Sequence, residues 1–141
     1  ALLLSQQVPA HWLAKSSIFV GPWGWLLRRL GGIPIRRDGS DDTVAQAVQA
    51  FEARQHFIFA LAPEGTRFRR PHWRSGFYEI AQRAKVPVLP VATDYSRKVA
   101  RIGTPLSLSG DEEADMAQLS VFYQDMRGKI PSRQGEVRLR E

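Results

Sequence analysis

Apolar residues recur at helical spacing in three stretches of the chain. Val44, Ala47, Val48 and Phe51 mark one face of a helix over 41–54. Ser40 is placed to cap it, and Asp41 and Asp42 fall in its first turn, where carboxylates oppose the positive end of the helix dipole. Phe77, Ile80, Ala81 and Ala84 mark a second helix. Met116, Leu119, Phe122, Tyr123 and Met126 mark a third over 111–127, introduced by Ser109-Gly-Asp-Glu112 at capping-box spacing.

Between these helices the pattern changes. Residues 56–62 are a short run of aromatic, branched and small apolar side chains ended by Pro63 and Gly65, as expected of a buried strand. Residues 86–91, Val-Pro-Val-Leu-Pro-Val, are predicted to be extended because proline is excluded from helix interiors. Further extended candidates lie at 11–15, 32–36, 101–108 and 136–140. Strands and helices therefore alternate, which predicts an α/β fold: one layered domain over 1–141 with a central, mostly parallel or mixed sheet flanked by helices. No internal repeat or long linker calls for a second domain.

Composition narrows the chemistry. A chain of 141 residues with 43% hydrophobic content can bury roughly two thirds of its unfolded surface in one domain. There is no cysteine, which excludes disulfides, thiolate metal ligands and a cysteine nucleophile. Twenty Lys and Arg against fourteen Asp and Glu give a net charge of +6, which favours an anionic partner: nucleic acid, a lipid headgroup or a phosphorylated small molecule. The longest weakly charged stretch, 16–27, contains Gly21, Pro22 and Gly24 and is well short of the roughly twenty apolar residues of a spanning helix. No signal peptide is expected, and Ala1 in place of Met points to a processed, trimmed or partial chain.

Three segments could carry chemistry. In Ala62-Pro-Glu-Gly-Thr-Arg67 a strand feeds a tight loop holding a carboxylate, a hydroxyl and a guanidinium. Gly65 permits positive φ or a close backbone approach, Thr66 can donate or accept a hydrogen bond, and Arg67 can grip phosphate oxygens in bidentate fashion. Glu64 could orient Arg67 or accept from a substrate hydroxyl. Taken alone, the loop reads first as an ordinary turn with a surface Glu–Arg pair.

The second segment, Gly31-Gly-Ile-Pro-Ile-Arg-Arg37, delivers two arginines that are either another phosphate clamp or solvated strand-end charges. Arg69, Arg70, His72 and Arg74 follow closely on Arg67 and create a local positive field. The third segment, residues 19–30, sets Trp23 and Trp25 beside Arg28 and Arg29. It reads either as an interfacial segment or as a core-packing helix using Leu26, Leu27 and Leu30.

Glu64-Gly-Thr-Arg67 after an apolar strand resembles the third signature block of the lysophosphatidic acid (1-acylglycerol-3-phosphate) acyltransferase family. Gly31-Gly-Ile-Pro-Ile-Arg-Arg37 is similar to its second block, with Arg37 at the block's arginine, and Val86-Pro-Val-Leu-Pro-Val91 is similar to its fourth. The order is right, and the intervening segments read like small bacterial members. The sequence departs from the pattern at Ala62, often a large aromatic in the family, and at the variable position Arg36. The family's first block is a His followed after four residues by an Asp. The residues five after His11, His56 and His72 are Ser16, Leu61 and Phe77, so none completes it. Its expected place lies before Ala1, which reads as truncation.

The resemblance implies transfer of a fatty acyl group from acyl-CoA or acyl carrier protein to the hydroxyl of a lysophospholipid, with no metal and no cofactor beyond the thioester co-substrate. It implies acceptor binding by Arg37 and Arg67 on the phosphate, with Lys15 a further phosphate candidate and Glu64, Gly65 and Thr66 shaping the adjoining pocket. The catalytic His and Asp are not expected in this chain. Trp23 and Trp25 are the expected membrane contact of a peripheral protein on the cytoplasmic side of a membrane, the bacterial inner membrane. The alternative is a noncatalytic anionic-lipid-binding fragment or partner. A nucleic-acid partner is not expected, since charge and aromatics fit one but no recognised motif does.

Overall fold

The computed structural model describes residues 10–35, 40–66 and 68–139, with the backbone alone at 13, 15, 35 and 40–42. The chain divides into two compact units, 1–62 and 63–141.

In the first unit the order is β1 (Ala10–Lys15), a 3₁₀ turn (Ser16–Ile18), α1 (Gly21–Arg29), β2 (Gly32–Ile35), α2 (Ser40–Glu52) and β3 (Ile58–Ala60). All three strands are parallel in the order β2-β1-β3, with Trp12 opposite Gly32 on one side and Ala60 on the other. Parallel neighbours need a crossover, and α1 and α2 supply one each. The sequence-predicted helix at 41–54 is α2, in which Ser40 is itself the first helical residue. Its Val44, Ala47 and Val48 are buried as their spacing predicts. Phe51 stands edge-on to Phe57, and Phe57 meets the ring of His11 at 4.7 Å. Such pairs add about 0.5–1.5 kcal/mol beyond the area they bury.

The second unit carries a loop from Pro63 to Ser75, then α3 (Gly76–Ala84), β4 (Val91–Asp94), β5 (Val99–Ile102), α4 (Glu112–Tyr123) and a 3₁₀ turn (Pro131–Arg133). β4 and β5 pair antiparallel as a two-stranded ribbon. The α/β class is as read from the sequence, with the described strands shared between this ribbon and the parallel sheet. The core gathers Trp73, Tyr78, Met116, Leu119 and Leu139, with Phe77, Val88, Leu106, Leu108, Tyr123 and Val137 around them. Fully burying side chains of this size is worth about 1.5–3 kcal/mol each.

Several boundaries moved for identifiable reasons. Within 86–90 only Val88 pairs, in a bridge to Leu106, because Pro87 and Pro90 have no N–H to continue a ladder; β4 starts with Val91, after the second proline. The extended stretch at 101–108 is β5 from Val99 to Ile102, then a break at Gly103 and Pro105, then Leu106 in that bridge. Residues 136–139 form no strand. Arg138 accepts a bond from the Trp73 N–H at 2.8 Å, but the chain after Trp73 turns into α3 and offers no extended partner.

The capping box is corrected as well. Asp111, not Ser109, caps α4 by accepting from the Ala114 N–H at 3.1 Å. Ser109 is held one turn earlier by Asp115, a fully buried carboxylate that accepts from the Ser109 N–H and hydroxyl (both 2.9 Å), the Gly110 N–H and the Tyr78 hydroxyl at 2.8 Å. Burial by itself would raise the Asp115 pKa, but these hydrogen bonds outweigh it and hold the carboxyl below its ordinary value. Burial first, and then the bond to Asp115 and its charge, push the Tyr78 phenol up to about 12, so it stays a donor.

Candidate functional site

The loop that opens the second unit is closed at its base by the Arg74 N–H, which donates to the Pro63 carbonyl at 2.9 Å. Its return strand is anchored by Trp73, buried in the core with its backbone N–H on Arg138. On the other side Gly135 lies against the Arg70 backbone so closely that a Cβ would sit 2.3 Å from the carbonyl oxygen. An otherwise hydrophilic loop is thus tied down at three points, and the residues at its head inherit that order.

Gly65 has φ +65, the left-handed region that its place in the tight turn required. The space a Cβ would occupy there is taken by Arg74, with Nε at 2.8 Å and Cδ at 2.9 Å. Thr66 Oγ1 accepts from the Phe68 N–H at 3.2 Å, leaving its own hydroxyl proton to donate. Glu64 and Thr66 are half-buried and Gly65 is exposed. Among the described residues the Glu64 carboxylate has no hydrogen-bond or ion-pair partner.

From Pro63 to Arg74 there are four arginines and one glutamate. Arg69, Arg70 and Arg74 are exposed, and the Arg133 guanidinium stands over the exposed Phe68 ring at 6.0 Å. The field at this loop is positive and suits an anion.

The other sequence-predicted residues belong to the first unit or lie outside the described residues. Arg36, Arg37 and Arg67 are outside them; Lys15 closes β1, where the backbone alone is described. Trp23 and Trp25 lie on α1 and are 71% and 64% exposed. The core-packing alternative for this helix does not hold: Leu26 and Leu30 are exposed, Leu27 is half-buried, and Gly24 alone on the helix is buried. Arg29 stacks over the Trp25 ring at 5.6 Å. No helix among the described residues is long and apolar enough to cross a membrane.

Sequence reasoning missed two roles in this loop. Trp73 was hidden inside a basic run, although one large aromatic among charges is the signal of an anchor. In the sequence Arg74 is only one part of a local positive field, because its contact with Gly65 joins residues nine apart.

The parallel crossovers of the first unit make the class of the protein α/β, and the loop that opens the second unit is basic. A family model described as Acyltransferase matches residues 1–94 of the 141. The chain belongs to the acyltransferase family. No curated protein and no solved structure matches it.

Proposed function

We propose that the chain is the acceptor-binding part of a glycerophospholipid acyltransferase of the small bacterial lysophosphatidic acid type. Such an enzyme moves a fatty acyl group from acyl-CoA or acyl carrier protein to the hydroxyl of a lysophospholipid such as lysophosphatidic acid, a step of phospholipid biosynthesis. The observation that carries this reading is the Glu64-Gly-Thr-Arg67 loop, where a left-handed glycine, a hydroxyl with its proton to give and a surplus of arginine meet in a family of acyl-transferring proteins.

In this reading Arg37 and Arg67 bind the acceptor phosphate and Lys15 adds to their field. Glu64, Gly65 and Thr66 shape the adjoining pocket. In the transfer the acceptor oxygen attacks the thioester carbonyl while a histidine, oriented by an aspartate, takes the hydroxyl proton; collapse expels the thiol, which recovers that proton. None of His11, His56 and His72 has an Asp five positions on. These 141 residues alone are therefore expected to bind the acceptor without turning it over.

Because acceptor and product reside in a bilayer, the exposed Trp23 and Trp25 of α1, with Arg28 and Arg29 for anionic headgroups, are the proposed membrane contact. The setting is then peripheral, on the cytoplasmic face of the bacterial inner membrane.

Arg67→Ala in the full-length protein tests the reading. It should raise KM for lysophosphatidic acid by about 10- to 100-fold, the ~1.5–3 kcal/mol of a lost charge-assisted hydrogen bond, with a smaller effect on kcat. Unchanged kinetics would remove Arg67 from the acceptor site, and Arg37→Ala gives the parallel result.

A further inference from the structure

We infer that Arg74 is a further cation for the acceptor phosphate, held in place by the same loop that presents Glu64, Gly65 and Thr66. The inference rests on the proposed phosphate-bearing acceptor. Its basis is the place of the Arg74 side chain: Cδ and Nε lie 2.9 and 2.8 Å from where a Gly65 Cβ would be, so the guanidinium stem runs across the glycine of the signature loop. The glycine is then needed twice, once for φ +65 and once to admit this arginine.

Arg74 is also fixed at its root. Its N–H is bonded to Pro63, the preceding Trp73 is buried in the core, and the following Ser75 leads into α3. A cation so positioned loses less freedom on gripping a ligand than one on a free loop.

Among the described residues no carboxylate pairs with Arg74. Glu79, five residues on, accepts from the Ser75 hydroxyl at 2.7 Å, and Glu136 is paired with Arg138 at 2.7 Å. Arg74 is exposed, so among the described residues it can meet a ligand without first leaving a carboxylate. A planar, permanently charged fork over a glycine-lined backbone suits a phosphate monoester, which takes two parallel N–H bonds.

Arg74→Met keeps the apolar stem over Gly65 and removes the charge, while Arg74→Lys keeps a charge and loses the fork. The experiment measures kcat and KM of the full-length protein and these variants with lysophosphatidic acid and with phosphate-free monoacylglycerol, and urea unfolding reports on the fold. The expected result is KM for lysophosphatidic acid raised about tenfold or more by Met and partly restored by Lys, with unfolding and any monoacylglycerol reaction unchanged. If Met leaves KM for lysophosphatidic acid alone while Arg67→Ala raises it, Arg74 is only a packing residue and the acceptor reading stands without it. If the wild-type protein does not use or bind lysophosphatidic acid, the acceptor reading itself fails and takes this inference with it. If Met destabilises the fold and Lys does not recover KM, the role is structural and the inference is overturned.

Discussion

Gly65→Ala tests the loop most directly, because one added methyl acts on two things at once. At φ +65 an L-residue with a Cβ costs roughly 1–2 kcal/mol relative to the right-handed region, a cost glycine does not bear. The same Cβ would fall 2.8 Å from Arg74 Nε and 2.9 Å from its Cδ, closer than real Cβ contacts come. Arg74 is exposed and flexible beyond its fixed root, so it can swing aside at little cost to stability. The predicted stability loss is therefore the backbone cost alone, about 1–2 kcal/mol by urea unfolding. The functional loss is larger, since the displaced guanidinium no longer faces the loop. Gly65→Asn separates the two effects: asparagine tolerates the left-handed region better but still carries a Cβ, so it should recover much of the stability and none of the raised acceptor KM. If alanine leaves unfolding unchanged, the loop does not hold the left-handed turn. If asparagine restores both stability and KM, displacement of Arg74 is irrelevant.

Asp115 and Asp94 are both buried, with folded pKa values below the ordinary range. For Asp94 the first cause is the Ser96 hydroxyl at 2.6 Å, acting against burial, with the Arg97 and Ser96 N–H groups and the Arg97 charge adding to it. The unfolded chain, with aspartate near ~3.9, binds more protons than the folded one over the interval below that value. Their stabilisation should thus be complete above about pH 5 and decline as pH falls through the depressed values. An acid titration followed by circular dichroism should show Asp115→Asn with a shallower decline, and Tyr78→Phe less stable at neutral pH by about 1–2 kcal/mol, since it removes one donor from a buried carboxylate; an unchanged acid profile for Asp115→Asn would contradict this. At the membrane, replacing Trp23 and Trp25 together with alanine should markedly reduce flotation of the protein with anionic liposomes, and equal flotation would return α1 to a merely exposed helix.

Periodicity located the helices well because each buries one stripe: Val44, Ala47 and Val48 on α2, Ile80 and Ala81 on α3, Met116 and Leu119 on α4 are buried at the predicted spacing. Positive φ at Gly65 is one of the two roles that a tight turn just beyond a strand offers a glycine, and it is the one the backbone takes. The block order pointed to an acyltransferase, and residues 1–94 match the acyltransferase family.

What composition and spacing could not supply was anything decided between distant residues. Ser109-Gly-Asp-Glu112 satisfies the capping-box pattern, yet the cap is Asp111, because buried Asp115 with Tyr78 from another helix claims Ser109 first. Trp73 lies within a basic run of the sequence, and only the core that closes around it makes it an anchor. Arg74 counted as a unit of charge until the fold laid it across Gly65. Local chemistry along the chain determines which segments become helix or strand and which loop carries a surplus of positive charge. The tertiary structure alone decides which donor reaches which acceptor, because those contacts depend on packing across residues that the sequence holds far apart.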